Sequence, residues 1–102
     1  MFKQYNVSPS IANTDTDLVA TIASEYVFIM FTLQIQAVTA ADVQIKLYNA
    51  SGTLSQAIPL SIDAGDTAVL DHKVVIPAGG KIAVRSSVTD TTFTTHGYLE
   101  VE

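Results

Sequence analysis

The sequence predicts an all-β protein, an antiparallel β-sandwich of jelly-roll or immunoglobulin-like type with seven or eight strands. Three observations lead to this fold class. Apolar and polar residues alternate with period two along most of the chain, and no long stretch carries a helical stripe. Turn residues separate the alternating runs at short spacing. The chain has 102 residues, the length of one domain. A small closed barrel is the alternative.

The N-terminal half predicts three strands. Residues 18–23 (LVATIA) are rich in β-branched side chains, which favour a strand, although TDTD at 14–17 could instead cap a helix. Residues 26–37 predict a long central strand, and residues 42–48 alternate cleanly. The inward set of the central strand is Val27, Ile29, Phe31, Leu33, Ile35 and Ala37, and its outward set is Tyr26, Phe28, Met30, Thr32, Gln34 and Gln36.

The C-terminal half predicts strands over 54–62, 67–76, 81–88 and 91–101. The second of these is expected to bend near Asp71. In the last one, Gly97 interrupts the inward-facing set and predicts a β-bulge. The segments IDAG (62–65) and IPAG (76–79) predict two turns of similar construction, each with a glycine free to take a positive φ.

The segment PAGGK (77–81) raises the question of a phosphate-binding loop. Such a loop requires GxxxxGK[ST] between a strand and a helix, whereas here the alternation after Lys81 predicts another strand. Asp71 and His72 are adjacent, so a strand would point them to opposite faces. His96 is isolated in sequence, and no nucleophile elbow or metal-ligand spacing is present. We therefore expect no enzyme activity, no catalytic residue, no cofactor and no metal site.

The amino-acid composition limits which classes of binding partner are expected. Five Lys and Arg residues stand against ten Asp and Glu residues, without a basic run, so nucleic-acid binding is not expected. The longest apolar run covers only residues 26–31, so neither a signal peptide nor a membrane span is expected. Charged residues make up only 15% of the chain, against about 25% in average soluble domains. Part of the surface is therefore expected to be covered by neighbours.

The expected outer face of the central strand is unusual because its first half is apolar. Two explanations stay open. The N-terminal segment could fold over it, or the face could form a subunit or partner interface. Residues 1–16 are polar and turn-rich and are expected to form an N-terminal arm, leaving 17–102 as the β-sandwich domain. The candidate interface residues are Tyr26, Phe28, Met30, Phe2 and Tyr5.

Residues 18–102 resemble a group of small structural proteins encoded by tailed bacteriophages. Those proteins carry a strand of the form vxIxxLQVxN, a Ser-Gly turn, the segment IPLxxGxxxxLDxKIVLxAGDxIxVxSS and a near-terminal YLEI. The corresponding segments here are FIMFTLQI (28–35), SG (51–52), IPL (58–60), VLDHKVVIPAGGKIAV (69–84), SS (86–87) and YLEV (98–101). Gly80 replaces the usual Asp.

The resemblance implies a virion structural protein, assembled in the bacterial host cytoplasm and located in the virion. The leading hypothesis is a non-enzymatic capsid decoration or cement protein, homo-oligomeric, with the major capsid protein or other virion proteins as partners. The alternative is a carbohydrate- or receptor-binding module of a tail fibre or baseplate, in which Tyr48 and Tyr98 would stack on a sugar.

Overall fold

The computed structural model describes residues 1–71 and 73–101. Those ranges contain nine strands and no helix. The predicted boundaries of the strands at 26–37, 54–62 and 91–101 are confirmed at both ends. The strands are β1 (Phe2–Val7), β2 (Thr16–Val19), β3 (Tyr26–Ala37), β4 (Ala41–Tyr48), β5 (Leu54–Ile62), β6 (Thr67–Leu70), β7 (Val74–Ile76), β8 (Lys81–Ser86) and β9 (Thr91–Val101).

The strands form two antiparallel sheets. The first sheet has the order β1-β9-β3-β6, with β7 also paired to β3, and the second has the order β2-β8-β4-β5. The pairs β1 with β9, β2 with β8, β3 with β6 and β7, and β4 with β5 are nested, as in one long hairpin. The additional pairs β3 with β9 and β4 with β8 form when that hairpin rolls up. The predicted sandwich is thus confirmed, and its strand order is that of a jelly roll.

Strands β6 and β7 act as two halves of one strand along β3. Leu70 pairs with Leu33 near the end of β6, and Val74 pairs with Met30 at the start of β7. The strand predicted over 67–76 is therefore interrupted close to Asp71, where a bend was predicted. His72 lies outside the described residues, as does Glu102.

A β-bulge in β3 overturns the predicted facing of its first half. Met30 pairs with Gly97 and Thr32 pairs with His96, so Phe31 is an extra residue on β3. One extra residue shifts the facing of every residue before it by one position. Phe28 and Met30 are therefore core residues, 0% and 2% exposed, whereas Phe31 is 39% exposed. Their predicted place on the outer face was wrong.

The bulge lies where Gly97 predicted it, but the extra residue belongs to the neighbouring strand. On β9 itself the inward set is regular, with Phe93, Thr95 and Gly97 buried. The core fills the space between the sheets with aliphatic side chains and two phenylalanine rings. Its largest fully buried members are Phe28, Phe93, Leu33, Ile35, Ile45, Ile76, Ile82, Val19, Val43 and Val84.

Glycines shape the two predicted turns. Gly65 and Gly79 have φ values of 80° and 85°, as the repeated segments IDAG and IPAG predicted. The Gly79 amide also donates a hydrogen bond to the Ile22 carbonyl, and the Ile22 amide donates to the Gly80 carbonyl. The PAGGK segment is thus a turn from β7 to β8. Its backbone is hydrogen-bonded to Ile22, in the segment that precedes β3. Lys81 starts β8 and pairs with Asp17 at 3.1 Å.

The N-terminal segment is part of the first sheet. β1 pairs with β9 along its whole length, from Phe2 opposite Tyr98 to Val7 opposite Phe93. Tyr5 and Val7 point inward and pack against the core. Residues 2–7 of the expected arm thus form an edge strand that lies beside β9. The division of the chain at residue 16 stays a prediction.

Candidate interface on the outer face of the first sheet

An apolar row crosses the outer face of the first sheet from edge to edge. Phe2 on β1 pairs with Tyr98 on β9, Tyr98 pairs with Ile29 on β3, and Ile29 pairs with Val75 on β7. Residues in register point to the same face of a sheet, so these four side chains form one line. Phe31 joins them because the bulge turns it outward. We call the set Phe2, Ile29, Phe31, Val75 and Tyr98 the aromatic patch.

The rings of the aromatic patch hold one another in place. Tyr98 contacts Phe2 and Phe31 edge to face, with ring centroids 5.9 Å and 5.6 Å apart. Phe2 also stacks on His96 at 6.0 Å. These are preferred geometries for aromatic pairs, each worth about 0.5–1.5 kcal/mol beyond the buried area. These contacts restrict the rotamers of the rings before any partner arrives, which lowers the entropy lost on association.

The aromatic patch is open to solvent despite these contacts. Phe2, Tyr98 and Val75 are 57%, 40% and 55% exposed. Side chains of this kind are enriched at the centres of protein interfaces, where charged residues are depleted. The patch therefore has the composition of an interface core.

The other half of the same face is polar. Asn6, Thr94 and Gln34 lie in register across β1, β9 and β3, and Gln36 pairs with Thr92 in the next outward row. The expected change from apolar to polar along the outer face of residues 26–37 is thus confirmed. The apolar half, however, is built from Ile29 and Phe31.

Only one of the five candidate interface residues lies in the aromatic patch, namely Phe2. Phe28 and Met30 are buried, and Tyr5 contacts Phe28 with ring centroids 5.4 Å apart. Tyr26 is partly exposed at the end of β3 and lines, with Tyr5, a cavity of about 230 Å³. Sequence analysis missed Phe31 and Ile29, which it placed in the core, and did not associate Tyr98 with Phe2. Placing the bulge predicted by Gly97 on β3 would have identified Phe31.

The outer face of the second sheet is polar and ionic. The Asp15 carboxylate accepts hydrogen bonds from Lys46 Nζ at 2.9 Å and Arg85 Nε at 2.8 Å. Burial raises the pKa of Asp15, but the two cations outweigh it and hold the pKa below its ordinary value. Beside this network an open groove of about 400 Å³ is lined by Asn13, Asp42, Val43, Gln44, Pro59, Leu60, Ser61 and Arg85.

The ranges 1–71 and 73–101 contain no cluster of side chains with the composition of a metal site. There, no three His, Asp or Glu side chains are placed to share a metal ion. His96 lies on the outer face of the first sheet, where its ring stacks on Phe2. The same ranges hold no helix with the length and apolar character that a membrane span requires.

Comparison with known proteins gives distant structural similarities only. No protein-family model matches the sequence, and no curated protein matches it. The solved structures that match include infectious bursal disease virus of the Gx strain, at 15% identity and a TM-score of 0.46, covering 94% of this chain and 30% of that one. They also include the Gt strain of that virus, at 16% identity and a TM-score of 0.41, covering 97% of this chain and 30% of that one. A third is the VP2 subviral particle of infectious bursal disease virus, at 18% identity and a TM-score of 0.38, covering 96% of this chain and 32% of that one. The chain thus spans less than a third of each of these chains.

Proposed function

We propose that the protein is a non-enzymatic structural component of a bacteriophage virion, specifically a capsid decoration or cement protein that stabilises the outer shell through oligomeric contacts. The observation that carries the proposal is the aromatic patch, an ordered apolar surface on a small rigid jelly roll. The phage-like block at residues 69–84 and the terminal YLEV support the assignment to a virion. The major capsid protein or another virion protein is the expected partner.

The magnitude of the exposed apolar surface supports an association role. With ~200 Å² for a whole aromatic side chain, Phe2, Phe31 and Tyr98 together expose about 270 Å². At ~25 cal/mol per Å², covering these rings gives about 7 kcal/mol before the costs of association. Those costs are ~4–15 kcal/mol for lost translation and rotation. The patch alone thus holds a weak complex only where these costs lie at the lower end of the range, and repetition over a shell multiplies weak contacts into stable attachment.

Particles made with and without this chain test the proposal. An electron-microscopy map of the complete particle is expected to show the jelly roll on the outside of the shell. Particles that lack the chain are expected to release their genome at a lower temperature, and adding purified protein is expected to restore the wild-type temperature. Density in the tail, or equal stability of both particles, would contradict a cementing role.

The second candidate is a carbohydrate- or receptor-binding module of a tail fibre or baseplate. Tyr48 lies on β4 of the second sheet and Tyr98 on β9 of the first, so the two rings cannot clasp one sugar. The observation that favours this function is instead the polar groove beside Asp42, Gln44 and Arg85, whose amide, carboxylate and guanidinium groups suit sugar hydroxyls. A glycan array checks it. Binding that disappears in Gln44→Ala would support it, and an array without hits would remove it.

A further inference from the structure

We infer that the aromatic patch packs against the same patch of a second copy, giving a symmetric dimer in which two first sheets lie face to face. The inference rests on the proposed function for its oligomeric contacts and names the partner and the surface that make them. Isologous pairing uses the same surface on both copies, so it needs a patch that is complementary to itself. Three properties of the aromatic patch meet that need.

The first property is charge. The chain carries a net charge of −5, so two copies repel each other wherever their acidic surfaces meet. The aromatic patch contains no Asp, Glu, Lys, Arg or His. The patch itself therefore adds no like-charge repulsion when two copies meet through it, and Glu100, on the same face, lies beyond Tyr98 at the end of β9.

The second property is shape. The row from Phe2 to Val75 crosses four neighbouring strands at one level, so it forms a continuous line across the face of the sheet. Two sheets pack face to face about 10 Å apart when side chains of both fill the space between them. The outward residues Gln4, His96 and Thr32 then lie beside the buried row. With Thr94, Gln34 and Gln36 beyond them, they form a rim that can hydrogen-bond.

The third property is area. The exposed part of the three rings, about 270 Å² by the ~200 Å² measure for a whole aromatic side chain, is extended by Val75 and Ile29. A standard interface buries ~800 Å² on each partner, with an aromatic-rich core and a polar rim. The patch is large enough for the core of such an interface, and the polar half of the same face supplies the remainder. The expected dimer is accordingly of moderate affinity and depends on concentration.

Sedimentation velocity over ~1–500 μM tests the dimer, a range that brackets the μM affinities of modest interfaces. Wild-type protein is expected to move from monomer to dimer as concentration rises. Tyr98→Glu is expected to remain monomeric over the range because two carboxylates would face each other in the interface. The matched control is Gln56→Glu, which places the same charge at an exposed position on β5 of the second sheet, outside the proposed interface, and is expected to dimerise.

Two further measurements guard against a variant that misfolds. Circular dichroism must give the wild-type β spectrum for each variant, and Val75→Glu, on a different strand, is expected to reproduce the effect of Tyr98→Glu. Because the chain has no cysteine, Tyr98→Cys is expected to give a covalent dimer with a short bismaleimide, whereas Gln56→Cys on β5 is not.

A wild-type protein that stays monomeric throughout, a dimer that survives in Tyr98→Glu, or a larger closed oligomer would each overturn the inference. So would cross-linking of Tyr98→Cys to the shell protein on assembled particles in place of a second copy. These outcomes are separate from the proposed function. A monomer that still decorates the shell overturns the dimer alone, whereas a dimer that is missing from the outer shell overturns the decoration role alone.

Discussion

Phe28 occupies the space that a side chain on Gly97 would need. A Cβ atom built on Gly97 would lie 2.8 Å from Phe28 Cζ and 2.1 Å from the carbonyl oxygen of Ile29. The missing side chain lets the ring of Phe28 lie against β9 on the inner side of the sheet, where Tyr5 contacts it edge to face. These three features depend on one another. The bulge at Phe31 turns Phe28 inward, and Gly97 on β9 leaves the space that the ring of Phe28 occupies.

Gly97→Ala is expected to lower the free energy of unfolding by about 3 kcal/mol or more, because both a buried ring and a backbone oxygen must move. Gly52→Ala is the control. Gly52 has a φ of 79° but no atom within 4 Å of an added Cβ, so only the backbone conformation is penalised, by about 1–2 kcal/mol. Urea unfolding of both variants measures the difference. An equal decrease in the free energy of unfolding for both variants would mean that Phe28 and the β3 backbone move aside for the added methyl group at little cost.

Phe28→Ala and Phe31→Ala are expected to differ sharply although the residues are three positions apart. Phe28 is fully buried, so its truncation should cost about 3–5 kcal/mol of stability. Phe31 lies on the surface, so its truncation should cost about 1 kcal/mol or less and weaken self-association instead. Thermal and urea unfolding give the ranking. The reverse ranking would mean that β3 alternates regularly, without the bulge.

The bulge also explains where sequence analysis succeeded and where it failed. Period two and turn residues locate strands such as 26–37 and 54–62 because both signals are local. In the run YVFIMF (26–31), by contrast, every side chain is apolar, so either facing would bury an apolar set. The facing is decided by pairing with Gly97 and His96, some 65 residues later in the chain. The row from Phe2 to Tyr98 depends on the same long-range register, which local patterns do not contain.

Because of Asp15, the free energy of unfolding is expected to fall at acidic pH. Its pKa is lowered in the folded protein, so the stability it contributes is complete above the unfolded value of ~3.9 and is lost as the pH falls through the folded value. At neutral pH Asp15→Asn should cost about 1 kcal/mol, because the carboxylate and its partners are partly exposed and screened.

Urea unfolding near pH 7 and well below pH 4 checks this expectation for Asp15. The wild type and Asp15→Asn should differ at neutral pH and converge in acid. Asp17→Asn, which removes the single ion pair with Lys81, should cost less at neutral pH. A constant difference between wild type and Asp15→Asn across the pH range would exclude a contribution from the charge of Asp15.

Tyr5→Ala tests whether residues 1–16 form a separate arm or part of the domain. Tyr5 points inward from β1 and contacts Phe28, whereas its neighbour Gln4 points outward and is exposed. If β1 stabilises the sandwich, Tyr5→Ala should lower the free energy of unfolding by about 2–4 kcal/mol and Gln4→Ala by less than about 0.5 kcal/mol. Two equally small losses would show that β1 contributes little to the domain. The segment would then behave as the separable arm that its polar, turn-rich sequence predicts, and its ordering would depend on a partner.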